Sequence, residues 1–208
     1  MPGRTSKAPR LVLASASPGR LKVLRAAGIE PVVEVSGVAE TEVPGESARE
    51  HCLRLAVLKA EAVAAGRLDG LVLGADSVLD LNGAPLGKPA TPAEAVARWQ
   101  AMSGRTGTLL TGHCLIDSAS GRRVTGVGET EVRFGRPSDA EIAAYVASGE
   151  PLRVAGAFTI DGLGGPFVDG VDGDPANVVG LSLPLLRRLL AELGVGVHEL
   201  WAANGARG

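Results

Sequence analysis

Hydrophobic residues along the chain follow two different spacings in turn, and this alternation predicts a mixture of strands and helices. Short apolar runs predict strands at 10–14, 31–38, 70–81, 107–117 and 123–134. Apolar positions three or four residues apart predict helices at 18–27, 47–65 and 92–103, one after Ser138, and a last one at 183–194. The pattern shows no internal repeat and no long linker. It predicts an α/β or mixed α+β fold.

The predicted helices have residues at their ends that are typical of helix boundaries. Ser47, Thr91 and Ser138 have hydroxyl groups that can cap a helix N-terminus. Glu94 and Glu141 stand three residues after two of these positions, as a capping box requires. Glycines that can end a helix follow three of the segments: Gly28, Gly66 and Gly104.

The stretch from 70 to 90 combines a buried strand with polar residues. Asp76 follows a continuous apolar run, and we expect it to interrupt the strand, with a second strand after it. Asn82 and Gly83 predict a tight hairpin turn. Lys88 lies on the loop beyond the hairpin, which could return it to the neighbourhood of Asp76.

Composition and charge limit the classes of partner. The 208 residues are 45% hydrophobic, which is enough for one domain or two lobes that share a sheet. The formal net charge of -2 provides no broad attraction to nucleic acid or to an anionic membrane. We therefore predict neither as a partner, and an anionic substrate would need a local cluster of cations.

The cysteines and the N-terminal segment point to a cytoplasmic protein. Cys52 and Cys114 are far apart and lack the spacing of a zinc site, which predicts reduced thiols. Few apolar residues precede Ser15, too few for a signal peptide or a membrane span. Residues 1–9 are predicted to be a flexible tail.

The start of the first helix has the features of an anion site. Ser17 can cap the helix and Pro18 can occupy its first turn, so backbone N–H groups point toward Ser15 and Ser17. Arg20 lies in that turn, where a positive charge is unfavourable unless an anion offsets it. The alternative is an ordinary capped helix with a solvent-facing arginine.

Asp76 and two lysines are candidates for chemistry. An unpaired carboxylate in a buried strand is costly, so Asp76 should meet a cation, a metal or a substrate. Lys59 lies on the apolar side of its helix, and the alternative is a lysine that extends its ammonium group to water. Glu40 follows a predicted strand and by itself indicates only a solvated loop acid. Together with Lys88 and Arg20, these groups suit metal-assisted phosphoryl hydrolysis, although the chain has no Walker loop and no dinucleotide-binding fingerprint.

Several segments, in order between about residues 11 and 190, resemble the Maf family of nucleoside triphosphate pyrophosphatases. They are LASASPGR, GADSVLDLNGAPLGKP, MSGRTGTLLTG, YVASGEPLRVAGAFTIDGLGG and NVVGLSLP. The resemblance implies a strongly twisted mixed sheet with flanking helices, in two lobes around a cleft, similar to the inosine triphosphatase fold. It implies cleavage between the α- and β-phosphates to give nucleoside monophosphate and pyrophosphate with Mg²⁺ or Mn²⁺. It also implies a house-cleaning role and a link to cell division arrest.

The resemblance also assigns roles to individual residues. Asp76 matches the family's catalytic proton acceptor. Asp76 and Glu40 match the positions that bind the metal. The substrate-binding positions that match the family are Ser15, Ser17, Arg20, Lys59 and Lys88, the last also catalytic.

Three positions depart from the family pattern and bear on base selection: Gly19, Ser77 and Asp161. Gly19 replaces the first of two adjacent arginines. Ser77 and Asp161 stand where the pyrimidine-preferring branch has threonine and glutamine. An ionised aspartate only accepts hydrogen bonds, so Asp161→Gln should shift relative kcat/KM among nucleotides about tenfold or more.

Several alternatives and minor predictions remain at this point. A nucleotide-binding regulator of septum formation without turnover would need the cations but not Asp76. The apolar face of the last helix or of 47–65 is a candidate homodimer surface.

His113 is expected to be structural, and Trp99 and Met102 to lie in a core or an interface. The resemblance defines a domain at 10–194, and the extension at 195–208 has no assigned function.

Overall fold

The structure, a computed structural model, describes residues 9–41 and 43–202 of the chain. The predicted flexible tail at 1–9 lies outside these residues except for Pro9. Residues 203–208 of the predicted C-terminal extension also lie outside them. Within the described part, no helix is long and apolar enough to cross a membrane.

One seven-stranded mixed sheet forms the centre of the protein. Its strands are β1 (Leu11–Leu13), β2 (Val32–Val33), β3 (Leu71–Leu81), β4 (Ala84–Leu86), β5 (Thr106–Asp117), β6 (Arg123–Phe134) and β7 (Val168–Gly173). The strand order is β2-β1-β3-β5-β6-β7, and β4 pairs with β3. β1 is parallel to β2 and β3, whereas the other pairs are antiparallel. The predicted mixed α/β class is confirmed.

Helices flank the sheet, and their N-terminal caps follow the sequence signals. The helices are α1 (Pro18–Ala26), α2 (Ala48–Ala64), α3 (Pro92–Met102), α4 (Asp139–Ala147), α5 (Pro175–Val179), α6 (Leu183–Glu192) and α7 (Val197–Ala202). The capping box of α4, with Ser138 and Glu141, is complete. At α3, Thr91 caps the helix, but the Glu94 carboxylate accepts from the Ala90 N–H at 2.7 Å. That predicted box is therefore only half formed.

The long strands β3, β5 and β6 carry a separate core at each end, which produces two lobes. In the first lobe, Leu13 and Leu73 pack with the leucines of α6. In the second lobe, Trp99 of α3 packs edge-on against Phe134 and Tyr145. Trp99 is fully buried, and its Nε1 donates to the Ala157 carbonyl at 2.8 Å, as expected of a core residue. The predicted arrangement of two lobes is confirmed.

Helix α2 lies unusually close to the sheet because glycines face it. A Cβ at Gly74 would lie against the Ala56 carbonyl oxygen and 2.7 Å from the Ala60 nitrogen. A Cβ at Gly112, on the neighbouring strand, would meet the backbone of Cys52. The absence of side chains at these two positions lets the helix backbone contact the strands directly.

Both cysteines are free thiols buried near this interface, as predicted. Burial raises the pKa of Cys52 to about 12, and the nearby charge of Asp76 adds to the effect. Burial likewise raises the pKa of Cys114 to about 12. Neither thiol is ionised at neutral pH.

Two strand predictions were wrong. Asp76 does not interrupt the strand: β3 is continuous from Leu71 to Leu81, and Asp76 pairs with Gly112 of β5. The carboxylate is tolerated there because it has a cationic partner. The strand predicted at 31–38 is limited to Val32–Val33, at the edge of the sheet, because it pairs with β1, which is itself three residues long.

The candidate homodimer faces are occupied within the chain. The leucines of α6 that form its apolar face are at most 7% exposed, and they pack on the first lobe: Leu185, Leu186, Leu189 and Leu190. The apolar face of α2 packs on the sheet in the same way. These faces are therefore part of the core and are not exposed to a second copy of the chain, whereas a homodimer itself stays a prediction.

Candidate active site

A cleft of about 1010 Å³ lies between the lobes. It is bordered by the N-terminus of α1, the middle of β3, the segment before α2 and loops of the second lobe. The candidate catalytic, substrate-binding, metal-binding and base-specificity residues predicted from the sequence all line it: Ser15, Ser17, Gly19, Arg20, Glu40, Lys59, Asp76, Ser77, Lys88 and Asp161. The fold therefore brings together residues that are up to 146 positions apart, from Ser15 to Asp161.

Lys59 joins two carboxylates at the centre of the cleft. Its Nζ lies 2.6 Å from Asp76 Oδ1 and 2.6 Å from Glu40 Oε1. Lys59 and Asp76 are only 6% and 7% exposed, so Lys59 does not extend to water. Such a partner compensates the burial of the carboxylate and holds it in a fixed direction.

The close approach of α2 to the sheet accounts for this ion pair. Lys59 is the neighbour of Ala60, whose backbone packs against Gly74. Gly74 and Asp76 lie two residues apart on β3 and therefore on the same face of the sheet. The glycine thus brings the helix near enough for the lysine to reach the carboxylate.

Arg20 is buried and binds three groups of the protein. Its Nη1 donates to Ser15 Oγ at 2.9 Å, its Nη2 to Ser77 Oγ at 3.2 Å and its Nε to the Gly180 carbonyl at 3.0 Å. Burial lowers the pKa of Arg20, and the negative charges of Asp76 and Glu40 partly offset this effect. Arg20 is 8% exposed, which excludes the solvent-facing alternative.

The electrostatic balance of the cleft favours ionised groups. Burial raises the pKa of Glu40, but the hydrogen bond and charge of Lys59, with the charges of Lys88 and Arg20, leave it below the ordinary value. Lys88 is exposed on the cleft wall. Cations and two carboxylates therefore face the same space.

The three positions that depart from the family pattern have different surroundings. A Cβ at Gly19 would lie 2.7 Å from the Val179 carbonyl oxygen, so α1 and α5 approach too closely there for a larger residue without a shift. Ser77 Oγ lies 2.9 Å from Thr111 Oγ1 as well as binding Arg20. Asp161 accepts from Lys22 Nζ at 2.8 Å.

Sequence reasoning missed three residues on the cleft wall: Lys22, Arg98 and Glu150. Arg98 donates to the Gly87 carbonyl beside Lys88, and it also pairs with Glu94 one helical turn away. The spacing of Glu94 and Arg98 was a signal for that pair. Nothing local in the sequence marks Glu150, because three of its partners lie 9 to 14 residues further along the chain, at Thr159, Leu163 and Gly164.

His113 is structural, as expected. It is fully buried, its Nδ1 lies 2.9 Å from the Thr111 carbonyl oxygen and its Nε2 accepts from the Ser182 N–H at 2.9 Å. An acceptor at Nε2 requires the neutral ring. Burial lowers the pKa of His113 to about 4.

Together these features define a class of protein: a two-lobed mixed-sheet protein with a cation-lined cleft and a lysine-paired carboxylate at its centre. Comparison with known families identifies the particular family. Residues 10–193 match the model described as Maf-like protein, and the chain belongs to the Maf family. The family resemblance in the sequence is confirmed.

Similar curated proteins carry the name nucleoside triphosphate pyrophosphatase. The one from Streptomyces coelicolor is 64% identical, over 93% of this chain and 95% of that protein. The one from Salinispora tropica is 60% identical, over 93% of this chain and 88% of that protein. Among solved structures, a HAM1 protein from Coxiella burnetii matches with a TM-score of 0.46 and 21% identity, over 88% of this chain and 99% of that chain.

Proposed function

We propose that this protein is a nucleoside triphosphate pyrophosphatase that hydrolyses the bond between the α- and β-phosphates. The products are a nucleoside monophosphate and pyrophosphate. The observation that carries the proposal is the Lys59 ammonium group held between Asp76 and Glu40 at 2.6 Å each, inside a cation-lined cleft. The name shared by relatives up to 64% identical supports the same activity.

Asp76 is the proton acceptor in this proposal. A water molecule attacks the α-phosphorus, the bond from that phosphorus to the bridging oxygen breaks, and pyrophosphate leaves. Asp76 takes a proton from the water as its oxygen bonds to phosphorus. Lys59 binds the Asp76 carboxylate and fixes its orientation in the cleft.

Cations and hydroxyl groups bind the triphosphate. Ser15 and Ser17 lie at the N-terminus of α1, where backbone N–H groups favour an anion. Arg20 fixes Ser15 and adds positive charge, while Lys88 is exposed to meet phosphate oxygens and balance the charge of the leaving group.

Asp76 and Glu40 are the residues that would hold Mg²⁺ or Mn²⁺. Each of these carboxylates binds Lys59 through one of its two oxygens, and carboxylate oxygens are the donors that a hard cation would use. The described residues contain no cluster of three or more candidate protein ligands. A bound cation would neutralise charge at the phosphates.

The proposal extends to the cell. The 10–194 domain acts in the cytoplasm, and its substrates are ordinary or modified nucleotides. Its cellular role is to clean the nucleotide pool or to arrest division. Gly19, Ser77 and Asp161 influence which base is accepted. The reduced, buried thiols support an intracellular site of action.

Hydrolysis in ¹⁸O-labelled water tests the reaction. We expect the label in the nucleoside monophosphate and equal amounts of monophosphate and pyrophosphate. Label in inorganic phosphate with a nucleoside diphosphate would refute the assigned bond. Nucleotide binding without any product would support the regulatory alternative instead.

A further inference from the structure

Glu40 lies on a segment, residues 35–41, that has few attachments to the rest of the protein. The segment forms no helix or strand, and none of its residues, all of which the structure describes, is buried. Only two hydrogen bonds join it to other described residues. Lys59 Nζ donates to Glu40 Oε1 at 2.6 Å, and Arg54 Nη2 donates to the carbonyl of the next residue, Thr41, at 3.0 Å. A segment with so little packing depends on each of these bonds for its position.

Arg54 is itself held in one orientation by Glu46, the residue before the cap of α2. Arg54 Nε donates to Glu46 Oε1 at 2.6 Å, and Arg54 Nη2 donates to Glu46 Oε2 at 2.7 Å. This two-point contact fixes the plane of the guanidinium group. Nη2 carries two N–H groups, so it can bind the Glu46 carboxylate and the Thr41 carbonyl together. The Glu46 side chain is only 10% exposed.

Helix α2 therefore holds two consecutive residues of the segment in two different ways. Lys59 binds the Glu40 side chain, and Arg54 binds the Thr41 backbone. A side-chain contact alone leaves the backbone at Glu40 free to rotate, and the carboxylate can then approach Lys59 from many directions. The contact with the neighbouring carbonyl removes much of that freedom, so it restricts where the carboxylate can lie.

A role in the stability of α2 is a weak explanation for Arg54. The N-terminus of α2 already has a complete capping box, formed by Ser47 and Glu50. The helix also packs on the sheet through its backbone at Gly74 and Gly112. Neither feature uses Arg54, and neither accounts for its hydrogen bond to Thr41.

We propose that Arg54 is a positioning residue that sets the place of the Glu40 carboxylate in the cleft. Among the described residues, those that line the cleft do not include Arg54, so it acts through the Thr41 backbone and not on the substrate. Glu40 is one of the two carboxylates that would hold the divalent cation. A displaced Glu40 would therefore weaken the binding of that cation, and this consequence rests on the proposed function.

Backbone ¹⁵N order parameters at residues 37–41 test the positioning without nucleotide or cation. In Arg54→Gln they should fall below about 0.6, while those of α2 stay near about 0.85. Arg123→Gln is the matched control, because it removes a different ion pair of the same helix, with Glu61. The control should leave the order parameters of 37–41 as they are in wild type. Wild-type values in Arg54→Gln would overturn the proposal.

A double-mutant cycle with Glu40→Gln tests whether Arg54 acts through Glu40. The quantity measured is the Kd of Mn²⁺, by electron paramagnetic resonance, with the α,β-methylene analogue of the nucleoside triphosphate that wild type hydrolyses fastest. Arg54→Gln should raise this Kd about tenfold in the wild-type background, and Arg123→Gln should leave it unchanged. In the Glu40→Gln background the same change should raise it less than about twofold, because the group that Arg54 positions is gone.

The outcomes separate the positioning from the proposed function. An equal increase in the Kd of Mn²⁺ in both backgrounds would show that Arg54 acts independently of Glu40, and it would overturn the proposal. Wild-type protein that releases no pyrophosphate would refute the proposed function, whereas the order parameters would still decide whether Arg54 positions the segment.

Discussion

Replacing Gly74 with alanine should separate α2 from the sheet and weaken the Lys59–Asp76 pair. The new Cβ would lie 2.7 Å from the Ala60 nitrogen and closer still to the Ala56 carbonyl oxygen, whereas ordinary contacts begin at 3.4 Å, so the helix must move by at least about 0.7 Å. A shift of that size would stretch the 2.6 Å bond between Lys59 and Asp76 to about 3.3 Å or more, beyond a good hydrogen bond.

The expected cost is about 1–3 kcal/mol in the free energy of unfolding, since the obstacle is helix backbone that cannot rotate away. For a domain of this size that lowers Tm by roughly 2–12 °C. Loss of the aligned carboxylate should reduce kcat about tenfold to hundredfold. Urea denaturation and pyrophosphate release measure the two effects.

Gly126→Ala is the matched control for this experiment. Its Cβ would meet the tip of the Leu185 side chain at 2.9 Å, and that tip can rotate. We expect a smaller loss of stability and unchanged kcat. A Gly74→Ala protein with wild-type stability and wild-type kcat would refute the idea that the glycine sets the helix position for catalysis.

Two further predictions concern the loop of Lys88 and the pH dependence of stability. Arg98→Gln should raise KM for the nucleotide about tenfold, with a smaller change in kcat. The reason is that a charged hydrogen bond to the Gly87 carbonyl is lost, so that Lys88 is less well placed. An unchanged KM would contradict this prediction. His113 has a pKa of about 4 in the folded state against 6.5 in the unfolded state, so the unfolded chain binds the proton first as pH falls. The free energy of unfolding should therefore decline between pH 6.5 and 4, by up to about 3 kcal/mol. His113→Asn should flatten that decline, as measured by urea denaturation at each pH. An equal dependence of the unfolding free energy on pH in both proteins would contradict this prediction.

Local signals in the sequence predicted the fold well where the structure depends on near neighbours. Ser47 and Ser138 cap their helices as expected, because capping involves only the first turn. The family segments likewise predicted the residues that line the cleft. Side-chain partners were less predictable, since they depend on which elements pack together.

Asp76 and Lys59 illustrate that limit. The sequence shows a carboxylate in a buried strand and a lysine on an apolar helix face, and each alone suggested a break or an exposed ammonium group. Their pairing depends on Gly74, whose role is visible only when α2 lies on β3. Glu150 was missed for the same reason, because it acts through a loop nine or more residues away.

The most direct test of the central claim is pyrophosphate release by Asp76→Asn beside wild type, with Mg²⁺ and with Mn²⁺. The substitution keeps the size of the side chain and removes the proton acceptor. We predict that kcat falls by about 10²–10⁴ while nucleotide binding by calorimetry is retained. Wild-type kcat in the Asp76→Asn protein would contradict the assignment of Asp76 as the group that activates water.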